Sequence, residues 1–505
     1  MANPLFDTLF GLHAGSDAPF LHLPSGQTVS YGEFLAQAAR IANATASIGL
    51  KPGDRLAAQV EKSPQALALY AACVQAGLVF LPLNTAYTVE EVTYFIEDSG
   101  AAVVVCDEAA REGLAPVAAR LGAGLETLNA DGTGSLMAKA DAEPADFPTV
   151  ARTGGDLAAL LYTSGTTGRS KGAMLTQGNL LSNAQALVRE WRFGAEDVLL
   201  HALPIFHTHG LFVATNITLA AGGSMIFLPR FGLDQIIAQL PRATAMMGVP
   251  TFYTRLLGDA RLTRDLVARM RLFISGSAPL LAETHRQFET RTGHRILERY
   301  GMTETGMNTS NPYAGERRAG TVGFPLPGVE LKITDPEAGA TLPRGEIGQI
   351  EVRGPNVFKG YWQMPEKTRA ELREDGFFIT GDLGRIDADG YVQIVGRNKD
   401  LIISGGYNIY PKEIELVLDE QAGVLESAVI GVPHPDFGEA VLGVIVPKTG
   451  EAPNLEAMDA AVRRSLARFK HPRALVLMET LPRNAMGKVQ KNVLREQFKD
   501  RFTGA

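Results

Sequence analysis

Residues 163–172 read TSGTTGRSKG, a segment suited to gripping a chain of phosphates. Its glycines, Gly165 and Gly168 among them, permit the close approach and positive-φ turns that aim backbone N–H groups at an anion. Thr163, Ser164, Thr166, Thr167 and Ser170 add hydroxyl donors, and Arg169 and Lys171 add charge. This is not a Walker loop, which needs four residues between its first glycine and a Gly-Lys pair. The preceding apolar run, LAALLY over 157–162, reads as a buried strand. The loop is therefore expected at a strand's C-terminal end, where open α/β sheets bind ligands.

Four more segments are polar where a scaffold needs nothing special: YGMTE (300–304), TGD (380–382), GRNKD (396–400) and NAMGKVQK (484–491). Alone, a TGD is often a turn and a Gly-Lys pair a solvated tip. In this order and at these distances, together with the first loop, they resemble the acyl-adenylate-forming enzymes. That superfamily holds acyl-CoA synthetases, nonribosomal adenylation domains and beetle luciferase, and the resemblance covers nearly the whole chain.

The resemblance implies two steps. A carboxylate attacks the α-phosphate of ATP, giving acyl-AMP and pyrophosphate; a thiol, usually coenzyme A, then attacks the acyl carbonyl. It assigns the β- and γ-phosphates to Thr163, Ser164, Gly165, Thr166, Thr167, Gly168 and Lys171. It places Tyr300 beside adenine and counts Gly301, Met302 and Thr303 among the ATP-binding residues. Glu304 would ligate Mg²⁺, a hard cation suited to carboxylate, phosphate and water oxygens. Asp382 would accept from both ribose hydroxyls, Arg397 would reach ribose or phosphate, and Lys488 would bring a cation to the α-phosphate and the attacking carboxylate. Lys399 matches a hinge about which a small domain swings between half-reactions. In the second orientation the 403–408 loop, with Ser404, Gly405, Gly406 and Tyr407, would line the pantetheine tunnel. Relatives are acetylated at the lysine matching Lys488, so an acetyltransferase and a deacetylase are expected partners, on the expectation of an exposed lysine in a mobile loop.

The acid is a separate matter. Arg299 stands directly before YGMTE, where many relatives carry a small or neutral residue. A buried guanidinium without a partner is costly, so in an acyl pocket it fits an acid with a second carboxylate, gripped by charge-assisted hydrogen bonds. The wording ERYGMTE (298–304) resembles malonyl-CoA synthetases. The bland alternative is a salt bridge from Arg299 to Glu298, Glu304 or another acid. His207, in LPIFHTHG, and Ser277, in SGSAPL, lie in segments that line the family's acyl pocket and could complete a polar cage. His207 and His209 form an HxH pair, with no further nearby His or Cys to complete a zinc site. The expected reaction is ATP + malonate + CoA → AMP + pyrophosphate + malonyl-CoA, with methylmalonate a second substrate. Another short acid, a carrier-protein adenylation module and a luciferase-like oxygenase are the alternatives; the chain's end soon after Lys488 favours a standalone CoA ligase.

Strands spaced by helices must position these residues. Helices are expected over 31–49 and 64–77 and strands over 55–60, 78–83 and 102–106, the pattern of βαβ units and a largely parallel sheet. Residues 122–150 lack periodicity and read as a surface excursion. The stretch 203–229 reads as strand, loop and helix. The alternation resumes with strands over 225–228 and 272–275 and a helix over 234–240. From about 320 short strands (330–334, 348–353, 390–395) suggest a β-rich subdomain. After Gly396 come a helix (411–420), two strands (426–432, 440–446) and a helix over 454–469. The fold class is thus α/β: a large N-terminal domain (1–398) of mixed and parallel sheets sandwiched by helices, with a β-rich subdomain, and a small mobile α+β C-terminal domain (399–505).

The 505 residues are ordinary globular material, 45 % apolar and 20 % charged. A net charge of −7 without a long basic block argues against nucleic acid as the partner. Cys73 and Cys106 support neither a disulfide framework nor a cysteine zinc site and fit a reducing compartment. The first Lys or Arg is Arg40, so no signal or transit peptide is expected. The run 203–229 carries too many polar groups for a membrane span. A cytoplasmic enzyme without a membrane is the expectation.

Overall fold

The computed structural model describes residues 2–163, 170–404, 407–484 and 487–502. Within them the chain builds four sheets. A six-stranded sheet runs in the order Gly124–Thr127, Val103–Cys106, Arg55–Gln59, Val79–Pro82, Leu157–Thr163, Lys171–Thr176. Its pairs are parallel except the last, an antiparallel hairpin. A nine-stranded sheet is parallel from Pro19–His22 through Leu297–Met302, with antiparallel strands at both edges: Thr28–Ser30 at one, and Gly306–Ser310 and Phe324–Pro325 at the other.

Helices fill the space between these sheets. Pro64–Gln75 starts on Pro64 with Ser63 as its cap, and is buried along nearly its whole length. A helix apolar on all sides belongs between layers. Tyr70 shows this directly: its ring meets Phe80 of the six-stranded sheet and Phe212 on the other side, and its hydroxyl donates to Asn216. Tyr31–Ser47 packs beside it, opened by a capping box between Ser30 and Glu33.

An antiparallel four-stranded sheet, Glu330–Thr334, Gly348–Arg353, Phe378–Ile386 and Val392–Arg397, follows. The last unit is a five-stranded sheet, in which the central strand Gly438–Pro447 pairs along its length with the edge strand Val424–His434, and helices Pro411–Asp419, Leu455–Ser465 and Lys491–Phe498.

Three expectations are corrected. The segment 122–150 is not an excursion: Gly124–Thr127 extends the six-stranded sheet and Ser135–Ala140 buries Leu136, Met137 and Ala140 against helix Tyr31–Ser47. Both elements are too short to show a period. The stretch 203–229 runs loop, helix, strand: a π-helix His209–Thr215 continues into Asn216–Ala221, and the strand Ser224–Phe227 comes last. The 454–469 helix stops at Ser465, and Arg468–Lys470 is a separate 3₁₀ turn.

Candidate active site

The hairpin of the six-stranded sheet carries the glycine-rich loop between Thr163 and Lys171, which pair across it. Ser164, Gly165, Thr166, Thr167 and Gly168 lie outside the described residues. The loop's far side is tied down where the Tyr94 hydroxyl donates to the Ser170 carbonyl. Beside it, Tyr300 to Glu304 form the end of strand Leu297–Met302 and the turn that follows. Glycine is required there: a Cβ on Gly301 would fall 2.1 Å from the Gly306 carbonyl oxygen. Gly301, Met302 and Thr303 are half-buried in this hairpin.

Glu304 is buried, and that burial raises its carboxyl above the ordinary glutamate range. The Thr163 hydroxyl lies 3.5 Å from Glu304 Oε1, joining the two motifs across 141 positions. Two unforeseen residues complete this corner. The Tyr361 hydroxyl is 3.1 Å from Glu304 Oε1 and 2.6 Å from Glu371 Oε2. The Lys171 ammonium stands 4.3 Å from the centre of the Tyr361 ring and 3.6 Å from Glu371 Oε2. Neither Tyr361 nor Glu371 belongs to a spacing that sequence alone would single out.

Asp382 and Arg397 face each other across two strands of the four-stranded sheet. Arg397 Nε is 3.0 Å from Asp382 Oδ1, and the Tyr300 hydroxyl donates to Oδ2 at 2.6 Å. The buried carboxylate is thus gripped on both oxygens, each retaining a lone pair for a further donor.

Lys488 reaches this site from the last sheet. Its turn is held by the Lys488 N–H donating to Asn484 Oδ1, with Gly487 at φ 74°. Burial, and then the Arg397 charge, pull its ammonium down to about 8. The lysine is half-buried, which corrects the expectation of an exposed one. Lys399 sits in the 3₁₀ turn Asn398–Asp400, between the four-stranded sheet and the last one, and burial lowers its pKa also. Ser404 and Tyr407 pair in a short hairpin, where exposed Tyr407 stacks on Phe469; Gly405 and Gly406 lie outside the described residues.

On the other side of strand Leu297–Met302, Arg299 is only 3 % exposed. Its Nε and Nη2 have no hydrogen-bond partner, which excludes the anticipated salt bridge through either atom. Glu298, one position away, points to the opposite face, accepts from the Leu280 N–H, and is raised by burial to about 8. The Arg299 charge acts on half-buried His207 and buried His209, and half-buried Ser277 follows Gly276, whose Cβ would meet the guanidinium. His209 Nδ1 is 3.2 Å from the Ser277 hydroxyl, and its Nε2 is another orphan. Ser277 takes φ 70°, a left-handed conformation uncommon for a serine. Burial, then the Arg299 charge, lower His207 to about 4, so it is neutral at pH 7. The arrangement is a buried cation with unfilled donors beside two histidines. It can bind an anion.

The AMP-binding enzyme family matches residues 12–362, and its C-terminal domain matches 413–488. The chain belongs to this family. Its members include the adenylating CoA ligases, and this chain is an AMP-forming acid–CoA ligase. ATP-bound MatB from Rhodopseudomonas palustris is 58 % identical, with a TM-score of 0.97 over 99 % of this chain and 100 % of that one. The apo form of MatB gives 0.87 over the same shares. A malonate–CoA ligase of Arabidopsis thaliana is 34 % identical over 94 % of this chain and 85 % of its own length. A feruloyl-CoA synthase of an Amycolatopsis species is 37 % identical over 94 % of each. Percentage identity to the two named ligases therefore does not choose the acid. Among the described residues no helix is long and apolar enough to cross a membrane.

Proposed function

We infer that this ligase joins malonate to coenzyme A at the expense of ATP, through malonyl adenylate. One observation carries the reading: the buried Arg299 guanidinium with two nitrogens unfilled, beside His207 and His209. A fatty or aromatic acid would leave that charge buried and unpaired, at a large cost. A dicarboxylate supplies the missing anion to Arg299 and keeps its other carboxylate free to react. Methylmalonate is the expected second substrate, since one methyl group alters discrimination by only ~1–3 kcal/mol.

A free carboxylate oxygen attacks the α-phosphorus, the bond to the β-phosphate oxygen breaks, and pyrophosphate leaves. Lys488 neutralises charge on the α-phosphate as the new bond forms. Asp382, held by Tyr300 and Arg397, fixes the ribose through its remaining lone pairs. Thr163 to Lys171 neutralise the departing phosphates. The CoA thiolate then attacks the acyl carbon and expels AMP.

Magnesium fits the Glu304 corner. Glu304, a buried carboxylate beside the phosphate loop, would hold the ion, and a single carboxylate together with phosphate and water oxygens would suit Mg²⁺. When bound it neutralises phosphate charge. The swing between steps is assigned to Lys399, dividing the chain into 1–398 and 399–505, with Ser404 to Tyr407 meeting CoA in the second orientation. The higher likeness to ATP-bound than to apo MatB supports reading the present arrangement as the adenylating one. The same swing would expose Lys488 to an acetyltransferase, and acetylation would remove the charge. The cytoplasm, which keeps thiols reduced, is the compartment proposed. Pyrophosphate release with and without CoA, across a series of acids, tests the reading.

A further inference from the structure

Lys62 lies outside every motif above, just after strand Arg55–Gln59, yet its side chain is buried in contact with the strand that leads into the histidine loop. Its ammonium is 2.8 Å from His201 Nδ1, 2.9 Å from the His201 carbonyl and 2.9 Å from the Leu203 carbonyl. The Phe227 ring lies against it, 4.3 Å to the centroid. His201 Nε2 is 2.9 Å from the Gly210 carbonyl, which accepts only, so Nε2 carries the ring hydrogen and Nδ1 is bare. Burial pulls Lys62 well below the ordinary lysine range; the three acceptors it faces pull the other way, since only the ammonium form has three hydrogens to give them. No carboxylate among the described residues pairs with it. A buried amine held by two carbonyls and an imidazole, with no anion beside it, is an expensive device for packing alone.

What those acceptors share is their position. They bracket the segment 201–210, which carries His207 and His209. Lys62 fixes its start through His201 and Leu203; the His201 ring fixes its end at Gly210, in the first turn of the π-helix. Gly210 is pressed so tightly on this loop that a Cβ would fall 2.0 Å from the Pro204 carbonyl oxygen. Within the bracket, the His209 N–H donates to His207 Nδ1, and His209 Nδ1 meets Ser277.

We propose that Lys62, acting through His201, is a positioning residue for the acid pocket: it holds His207 and His209 in register with Arg299. The proposal rests on the assignment of that histidine loop to the acid. Unlike Arg299 it touches no substrate, so its loss should disturb acid binding and spare the nucleotide.

The test is steady-state kinetics on wild type, Lys62→Met and His201→Phe, varying malonate and ATP separately at saturating CoA. Met keeps the length without the charge; Phe keeps the ring without either nitrogen. The expected result is a malonate KM raised about tenfold or more in each single variant. ATP KM should stay within about twofold of wild type, and the double variant should be no worse than the weaker single, since both break one linkage. Unchanged malonate KM in both variants would overturn the proposal. So would malonate and ATP KM rising together, or failure of both variants to fold, because either assigns the pair a purely structural role. Rejection of malonate by the wild type contradicts the functional reading alone; the same KM ratio is then read on the acid the wild type accepts.

Discussion

The Arg299 guanidinium occupies the space a side chain on Gly276 would need: an ideal Cβ there falls 2.3 Å from Arg299 Cζ. Gly276 follows strand Leu272–Ser275, whose Ser275 registers with Glu298, so the glycine lies beside the strand that carries the arginine. Gly276→Ala should displace the guanidinium without disturbing either strand. Malonate KM is expected to rise about tenfold or more, with the melting temperature within about 3 °C of wild type. Unchanged kinetics in a folded variant would show that the guanidinium position is not decisive.

Lys488→Ala should separate the two half-reactions. Malonate-dependent pyrophosphate release is expected to fall at least about a hundredfold, since a cation at developing charge is worth several kcal/mol. Thioester formation from supplied malonyl adenylate should keep most of its rate, because Lys488 is assigned to the first orientation only. Equal loss of both steps would contradict the assigned swing.

The pH dependence follows from the same lysine. Its ammonium, lowered to about 8 in the free enzyme, is the form that faces the α-phosphate, so kcat/KM for adenylation should fall as pH rises through about 8. Bound triphosphate is an added anion that favours the protonated amine, so kcat should fall at higher pH than kcat/KM. Lys488→Arg should remove the fall from both profiles. A kcat/KM that stays flat to higher pH in wild type would remove Lys488 from that role.

Stability has its own titrating group. Glu298 moves from 4.5 to about 8 on burial, so the fold binds a proton that the unfolded chain has released. Its contribution is fully present below 4.5 and is lost as pH rises through about 8. Glu298→Gln should match wild type at the acid end and melt higher at the alkaline end. Parallel melting curves across that range would show that Glu298 does not titrate as its burial implies.

The long, regular elements were legible: the strand before the glycine-rich loop, helix Pro64–Gln75, and the hairpin residues Tyr300 to Glu304 that the motif order marked. The 122–150 elements were not, because a four-residue edge strand and a six-residue helix carry no readable period. Arg299 could be singled out by type, but whether Glu298 would neutralise it could not be read from adjacency. The strand's alternation sends Glu298 to the opposite face. Lys62, Gly276, Tyr361 and Glu371 were invisible for a related reason. Each matters only through partners brought near by the fold, such as His201 across 139 positions or Glu304 across 57.

The central claim is that Arg299 selects a dicarboxylate, and one measurement meets it most directly: CoA-dependent AMP formation by wild type and Arg299→Ala across acetate, propionate, malonate, methylmalonate and a medium-chain acid. Malonate is expected to be the best substrate of wild type, followed by methylmalonate. Loss of two charge-assisted hydrogen bonds, about 3 kcal/mol, should cut malonate kcat/KM about a hundredfold in the variant and leave acetate unchanged or improved. Better use of acetate or the medium-chain acid than of malonate by wild type, or undiminished malonate turnover in Arg299→Ala, would contradict the account.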